Sequence, residues 1–131
     1  MRRSLVLIAL LPLLACTQQG EEAETAAATA APVGEAVSCI NLDQVISRRP
    51  AGAQAIVFEV TGGRRYRNDL PESCPSLERA GKAEIVQVEA TGTRLCRGDR
   101  VRIYDPVEAK NIGARAFPHC RLGTFTPIAA G

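Results

Sequence analysis

Short runs of alternating apolar and polar residues dominate the last two thirds of this chain. Residues 55–60 (Ala-Ile-Val-Phe-Glu-Val) are rich in the β-branched and aromatic residues typical of strands, and Gly62-Gly63 predicts a turn. Residues 64–70 then alternate, with Tyr66 and Asn68 on one side of the strand and charged residues on the other. Together these two runs predict a β-hairpin.

Further strands are predicted toward the C-terminus. Residues 83–90 form one strand, and residues 94–105 form another that is broken at Gly98-Asp99. The second half of that run alternates most clearly, with Val101 and Ile103 inward and Arg100 and Arg102 outward. Residues 106–118 are predicted to be an irregular loop, and residues 120–128 a last strand.

These elements predict a mostly β fold. Residues 39–49 fit a strand that enters a short helix, which brings the total to five or six strands. Tight turns between short strands suggest a small antiparallel barrel or a curled sheet. Closure of such a sheet would remove the exposed edges that invite aggregation.

The N-terminus has a different pattern. Arg2 and Arg3 precede an apolar run at residues 5–14, which ends at the small residue Ala15. A membrane-spanning helix needs roughly 20 apolar residues, so this run of about ten is too short to span. A basic head, a short apolar core and a small residue before a cleavage site predict a secretory signal over residues 1–15.

The end of that signal, Leu13-Leu14-Ala15-Cys16, resembles the lipobox of bacterial lipoproteins. The resemblance implies that the Cys16 thiol takes a diacylglyceryl group, that a peptidase cuts before it, and that the new amine is acylated. Three acyl chains would anchor the protein to the membrane permanently. Because Thr17 rather than Asp follows Cys16, the resemblance favours the periplasmic side of the outer membrane over the inner membrane.

Residues 16–38 are predicted to be a tether. After Cys16 this segment is rich in Ala, Glu and Thr and has few residues that could build a core. Its Ala-rich part is too short to hold a stable helix by itself. We therefore expect a disordered tether at residues 16–38 and a single small domain at residues 39–131.

Four cysteines remain in that domain, and an even count in an exported protein implies two disulfides. The preferred pairing is Cys39–Cys120 with Cys74–Cys96, and the main alternative is Cys39–Cys74 with Cys96–Cys120. A structural zinc site normally needs closely spaced pairs of ligands, and these cysteines are evenly spread. No metal or cofactor is expected.

Five short motifs together resemble a family of small lipoproteins of Gram-negative bacteria. They are Cys-Ile at 39–40, Tyr-Arg-Asn-Asp-Leu-Pro at 66–71, Cys-Pro-Ser-Leu at 74–77, Leu-Cys-Arg-Gly-Asp at 95–99 and Cys-Arg-Leu-Gly-Thr-Phe at 120–125. The resemblance covers essentially the whole domain. It implies an architecture and a location, but the family carries no assigned activity and therefore indicates no site.

The sequence offers little catalytic chemistry. His119 is the one histidine, and no sequence motif indicates a nucleophile or carboxylate that would act with it. Asp99 follows Gly98 and is predicted to be a turn residue whose side chain bonds nearby backbone. We therefore expect a protein that is not an enzyme, and a hydrolase or a hydrolase inhibitor ranks last among the alternatives.

Charge suggests a second hypothesis. From Cys39 onward the chain has 14 Lys and Arg against 10 Asp and Glu, a net charge of +4, and nearly all the cations are Arg. Arg side chains suit carboxylate and phosphate groups. The main expectation is a non-enzymatic envelope protein with a binding or structural role, and the alternative is a binder of an anionic small molecule or glycan.

The residues proposed to contact such a ligand or partner lie on two predicted strands: Tyr66, Asn68, Arg100 and Arg102. Beyond the membrane, the partner is expected to be an envelope protein or an anionic ligand. Nucleic acid is disfavoured by the compartment and by the few aromatic residues available for stacking.

Overall fold

The computed structural model describes residues 26–27, 29–81 and 84–130. These residues include nine β-strands, two α-helices and two single-turn 3₁₀ helices. The strands are β1 (Cys39–Asn41), β2 (Val45–Pro50), β3 (Ala55–Val60), β4 (Arg65–Asp69), β5 (Ile85–Glu89), β6 (Arg94–Cys96), β7 (Arg100–Tyr104), β8 (His119–Arg121) and β9 (Phe125–Ile128). The helices are α1 (Pro75–Glu78) and α2 (Pro106–Ile112), with 3₁₀ turns at Leu42–Gln44 and Ala114–Ala116.

The strands form three antiparallel sheets. Sheet A has the order β2-β3-β4-β9, sheet B pairs β1 with β6, and sheet C has the order β5-β7-β8. The predicted mostly β, antiparallel class is confirmed. The described strands do not close into a single barrel, and they outnumber the predicted five or six because turns divide several of the predicted runs.

The predicted hairpin is confirmed as β3 and β4. These strands pair in register from Ala55 opposite Asp69 to Glu59 opposite Arg65. Gly62 and Gly63 connect them with positive φ angles of 85° and 76°, which glycine adopts without steric cost. Sequence pattern and turn chemistry therefore agree over this segment.

One hydrophobic core is shared by the inner faces of the three sheets. Phe58 of β3 and Phe125 of β9 lie at its centre, both fully buried, with ring centroids 5.5 Å apart in an edge-to-face arrangement. Val101 and Ile103 point into the same core, as predicted, and are fully buried. The inward positions of β7 therefore leave its arginines on the opposite face.

The cysteine pairing differs from both pairings considered from the sequence. The disulfides join Cys39 to Cys96 and Cys74 to Cys120. Because β1 pairs with β6, Cys39 lies directly opposite Cys96, with the Cα atoms 4.0 Å apart. Cys120 points inward from β8 toward Cys74 at the start of α1, with a Cα separation of 5.7 Å. The predicted Cys39–Cys120 and Cys74–Cys96 bonds are therefore wrong.

The predicted loop at residues 106–118 is also wrong, because it contains α2 and the second 3₁₀ turn. Asp105 caps α2, since its Oδ1 accepts from the backbone N–H groups of Val107 at 2.6 Å and Glu108 at 2.9 Å. Pro106 occupies the first turn, where it needs no hydrogen-bond donor.

Within the described ranges, no helix is long and apolar enough to cross a membrane.

The predicted last strand is divided into β8 and β9, which belong to different sheets. Asn68 of β4 holds the connection between them. Its side-chain Nδ2 donates to the Gly123 carbonyl at 2.9 Å, and its Oδ1 accepts from the Gly123 N–H at 2.8 Å. Asn68 is fully buried, so both backbone groups of Gly123 are satisfied inside the protein.

The folded domain begins before Cys39, which corrects the predicted boundary. Val33 N–H donates to the Pro127 carbonyl, and Val37 and Phe125 exchange two backbone hydrogen bonds, all at 2.9 Å. Ala27 is buried against the outer surface of sheet A beside Val57. The described part of the predicted tether therefore packs on the sheet and covers the edge of β9, while residues 16–25 lie outside the described ranges.

Gly123→Ala should destabilise the fold by at least about 2 kcal/mol, because a Cβ there would collide with the Asp69 carbonyl oxygen in the backbone. Urea denaturation of both proteins measures the difference. Gly81→Ala is the matched control, since Gly81 has open space around it and no positive φ. Equal stability of the two variants would contradict the close approach at Gly123.

Candidate functional site

The outer face of sheet C collects polar side chains from three strands. Val86 of β5, Val101 and Ile103 of β7 and Cys120 of β8 point into the core, so their neighbours in each strand point outward. We name this surface the arginine face. It consists of Gln87, Glu89, Arg100, Arg102, Tyr104, His119 and Arg121.

Glu89, the last residue of the edge strand β5, contacts three basic side chains. Arg102 Nε donates to Glu89 Oε1 at 2.7 Å. His119 Nε2 lies 2.8 Å from Glu89 Oε2, and Arg100 Nε lies 3.7 Å from the same oxygen. One carboxylate therefore contacts three basic side chains.

Arg102 is the most extensively hydrogen-bonded side chain described on this face. Its side chain is only 13% exposed. Its Nη1 donates to the backbone carbonyls of Arg115 and Phe117, each at 2.8 Å, and its Nη2 lies 2.6 Å from His119 Nε2. Because each guanidinium nitrogen is engaged, Arg102 fixes the segment before β8 and holds Glu89 and His119 in place.

The His119 ring can exchange partners through one atom. Its Nε2 faces both Arg102 Nη2 and Glu89 Oε2. A protonated Nε2 donates to Glu89, whereas an unprotonated Nε2 accepts from Arg102, since guanidinium only donates. The proton on this nitrogen therefore decides which neighbour His119 binds.

The surroundings of Glu89 favour its charged form. The hydrogen bond from Arg102 is the largest cause that lowers its pKa below the ordinary value of glutamate. Desolvation opposes this effect, while the hydrogen bond and charge of His119 and the charge of Arg102 add to it. Glu89 therefore stays a carboxylate that organises the cations around it.

Arg100 and Arg121 are the cations of this face that remain most available. They lie directly opposite each other on β7 and β8, and the Arg100 side chain is 55% exposed. Arg121 Nη1 donates to the Gly98 carbonyl at 3.2 Å, and no carboxylate of the described residues pairs with it. Like charges opposite each other repel, so an anion between them would be stabilising.

The residues predicted from the sequence divide into two groups. Arg100 and Arg102 do share the outer face of sheet C. Tyr66 and Asn68 lie on sheet A, where Tyr66 packs against the core and the Asn68 amide is occupied by Gly123. The structure does not bring the two pairs together, and Asn68 is not available to a ligand. Cys16 lies outside the described residues.

Sequence reasoning missed Glu89 and His119. Alternation along residues 83–90 places Glu89 on the outward side, and the inward Cys120 places its neighbour His119 outward. Those signals show which side of each strand the two residues occupy, but they do not show that the residues contact each other. Glu89 and His119 are 30 positions apart and meet only across β7. Asp99, by contrast, is confirmed as a turn residue, since its Oδ2 accepts from Cys96 N–H at 2.7 Å.

The arginine face is suited to binding a phosphate or carboxylate group. It carries four basic side chains and one acidic one, and the arginine guanidinium groups match those ligands geometrically. No hydroxyl or thiol of the described residues contacts the His119 ring. Over the same residues, no three His, Cys, Asp or Glu side chains cluster in a way that could hold a metal ion.

Arg102→Gln should raise the Glu89 pKa more than His119→Asn does, because the Arg102 hydrogen bond is the largest cause of its depression. The measurement is a pH titration of the Glu89 Cδ signal by carbon-13 NMR. Equal pKa values in the two variants and the parent protein would contradict this account.

Glu89→Gln should also flatten the loss of stability on acidification. The folded-state pKa of Glu89 is lower than its unfolded value, so its charge stabilises the fold above the ordinary glutamate range. That contribution disappears as the pH falls through the folded-state pKa. Urea midpoints measured across this range should therefore fall less steeply for the variant, and an unchanged slope would show that Glu89 contributes nothing.

Comparison with known proteins gives a family and no activity. Searches of curated proteins and of solved structures each returned no match. The scan of protein families matched residues 1–130 to DUF6491, a family of unknown function. Over essentially its whole length, this chain belongs to that family of unknown function.

Proposed function

We propose that this protein is a lipid-anchored, non-enzymatic binding module of the bacterial cell envelope, and that it binds an anionic group on the arginine face. The observation that carries the proposal is the placement of Arg100 directly opposite Arg121. Glu89 is the one carboxylate of this face; it is bound closely by Arg102 and His119 and lies 3.7 Å from Arg100 Nε, whereas no carboxylate of the described residues pairs with Arg121. A phosphate or carboxylate bound between the two arginines would relieve their repulsion.

The rest of the site would keep the two arginines in position. Arg102 ties β7 to the segment before β8 through the Arg115 and Phe117 carbonyls. Arg121 is held by the Gly98 carbonyl in the turn between β6 and β7. Cations that are already fixed lose less conformational entropy when an anion binds.

The N-terminal sequence supports the proposed location. The apolar run at residues 5–14 and Cys16 after Ala15 support lipidation of the Cys16 thiol and an anchor on the periplasmic side of the outer membrane. Two disulfides suit an oxidising compartment of this kind. Anionic groups there include lipid phosphates and glycan carboxylates, which the arginine face would meet at the membrane surface.

Arg100→Gln combined with Arg121→Gln should weaken binding of inorganic phosphate at least about tenfold, since hydrogen bonds to charged groups contribute roughly 1.5–3 kcal/mol each. The measurement is a phosphate titration followed by nitrogen-15 NMR of the arginine side chains at low salt. A parallel titration with vesicles of anionic lipid would distinguish a soluble anion from a headgroup.

The matched control is Arg48→Gln combined with Arg49→Gln. These two arginines are exposed on β2 at the edge of sheet A, so the variant has the same net charge but an intact arginine face. It should retain phosphate affinity within about twofold. Equal losses in both double variants would show that only net charge matters, and would remove the arginine face as a site.

Cys16→Ser should release the protein from the membrane fraction, because serine has no thiol to receive the diacylglyceryl group. Fractionation of cell envelopes and mass spectrometry of the mature N-terminal peptide measure the change. The parent protein is expected at the membrane with an acylated Cys16. An unmodified Cys16 peptide from the parent would overturn the anchor while leaving the arginine face untouched.

A further inference from the structure

His119 lies on the same face of β8 as Arg121, two residues before it. Alternate residues on one face of a strand are about 7 Å apart, so the His119 ring lies about one such step from the pair formed by Arg100 and Arg121. The His119 side chain is 31% exposed, so it also reaches solvent. A charge on this ring would therefore act on an anion bound by the two arginines, although His119 is not one of the groups proposed to hold it.

His119 is the group on this face whose charge changes near neutral pH. Histidine is the side chain that ordinarily titrates between about pH 5 and 8, and the chain has no other histidine. Arginine keeps its charge and a phenol stays neutral over this range, and the hydrogen bond from Arg102 lowers the pKa of Glu89, which stays a carboxylate. The charged and titratable side chains of the neighbouring elements are Glu89 on β5, Arg100, Arg102 and Tyr104 on β7, Arg121 on β8 and Arg115 in the 3₁₀ turn before it.

Glu89 Oε2 is shared between His119 and Arg100. His119 Nε2 lies 2.8 Å from this oxygen and Arg100 Nε lies 3.7 Å from it, while Arg102 Nη2 lies 2.6 Å from the same His119 nitrogen. When Nε2 is unprotonated it accepts from Arg102, and Arg100 is then the basic group left to pair with Glu89 Oε2. The ring cation carries a hydrogen on Nε2, which must turn away from the Arg102 guanidinium and donate to Glu89 Oε2. Protonation thus puts His119 in the place of Arg100 at this oxygen.

We propose that His119 is a pH-sensitive control of the arginine face, and that its protonation strengthens anion binding by Arg100 and Arg121. This inference rests on the proposed function of that face and adds its regulation. Three arginines and the Glu89 carboxylate give the cluster a net charge of +2, and a proton on His119 raises it to +3. The same proton frees the Arg100 guanidinium from Glu89, so that it turns toward an anion held by Arg121. Both effects reverse as the pH rises, and the anion is then released.

The test uses the full-length chain in a nonionic detergent, with sulfate as the probe because sulfate stays a dianion over the whole range whereas phosphate gains a proton. Sulfate titrations at low salt, followed by nitrogen-15 NMR of the arginine side chains, should give an affinity about threefold or more higher at about pH 5.5 than at about pH 8. Equal affinities at the two pH values would overturn the control by His119 and leave the proposed function intact. Absence of any sulfate-induced shift of the Arg100 and Arg121 signals at either pH would overturn both.

His119→Gln separates the proton from the structural role of the ring. A glutamine amide accepts from Arg102 and donates to Glu89 but carries no charge at any pH. The variant should bind sulfate at both pH values as weakly as the parent does at about pH 8. The matched control, Arg48→Gln combined with Arg49→Gln, should keep the pH dependence of the parent, since both residues lie on sheet A. A His119→Gln variant that keeps this dependence would contradict the proposal.

Two further readouts address the shared oxygen directly. Glu89→Gln should bind sulfate more tightly than the parent at about pH 8, because Arg100 then has no carboxylate beside it. Coupling between two sites is reciprocal, so saturating sulfate should keep the His119 ring protonated to a higher pH, as followed by its ring nitrogen NMR signals. An unchanged sulfate affinity in Glu89→Gln, or a His119 titration that sulfate does not move, would contradict the competition for Glu89 Oε2.

Discussion

The reciprocal hydrogen bonds between the Asn68 side chain and the Gly123 backbone hold the two larger sheets of this protein together. The chain leaves sheet C at Arg121 and enters sheet A at Phe125, so only three residues separate the two sheets at this point. Leu122 is tied to the turn between β6 and β7 by hydrogen bonds with Gly98 and Asp99. If this connection moved, β8 and β9 could not both keep their registers, and both Phe125 in the core and His119 on the arginine face would be displaced.

The sequence predicted well the strands and turns that depend on residues close together in the chain. The strands β3, β4 and β7, the Gly62-Gly63 turn and the Asp99 turn follow from alternation and turn chemistry within a few residues. The cap of α2 is also a local signal: Asp105 before Pro106 is typical of a helix start, although the irregular pattern of residues 106–118 predicts a loop. Long-range pairing was not predictable in this way. Cys39 meets Cys96 only because β1 pairs with β6, and nothing near either cysteine in the sequence encodes that partner.

The candidate site shows the same division. Alternation along β7 correctly placed Arg100 and Arg102 on one outward face. Their partners come from β5 and β8, so the cluster around Glu89 depends on the order of strands in sheet C. The same alternation placed Tyr66 and Asn68 on one face of β4, but that face is turned toward the core. The position of Asn68 on a regular strand was therefore compatible both with a ligand contact and with a buried structural amide, and the sequence alone did not separate the two roles.

Because the N-terminal segment packs on sheet A, it limits how far the domain can lie from the membrane. Ten positions separate Cys16 from Ala26, where the described part of this segment begins. A fully extended chain covers at most about 3.6 Å per residue, so this stretch reaches no farther than roughly 36 Å. If Cys16 carries acyl chains, the gap between lipid headgroups and the domain is then about the width of one small folded protein. The domain would then move only within a thin layer next to the bilayer, and it would bind only ligands that are present in that layer.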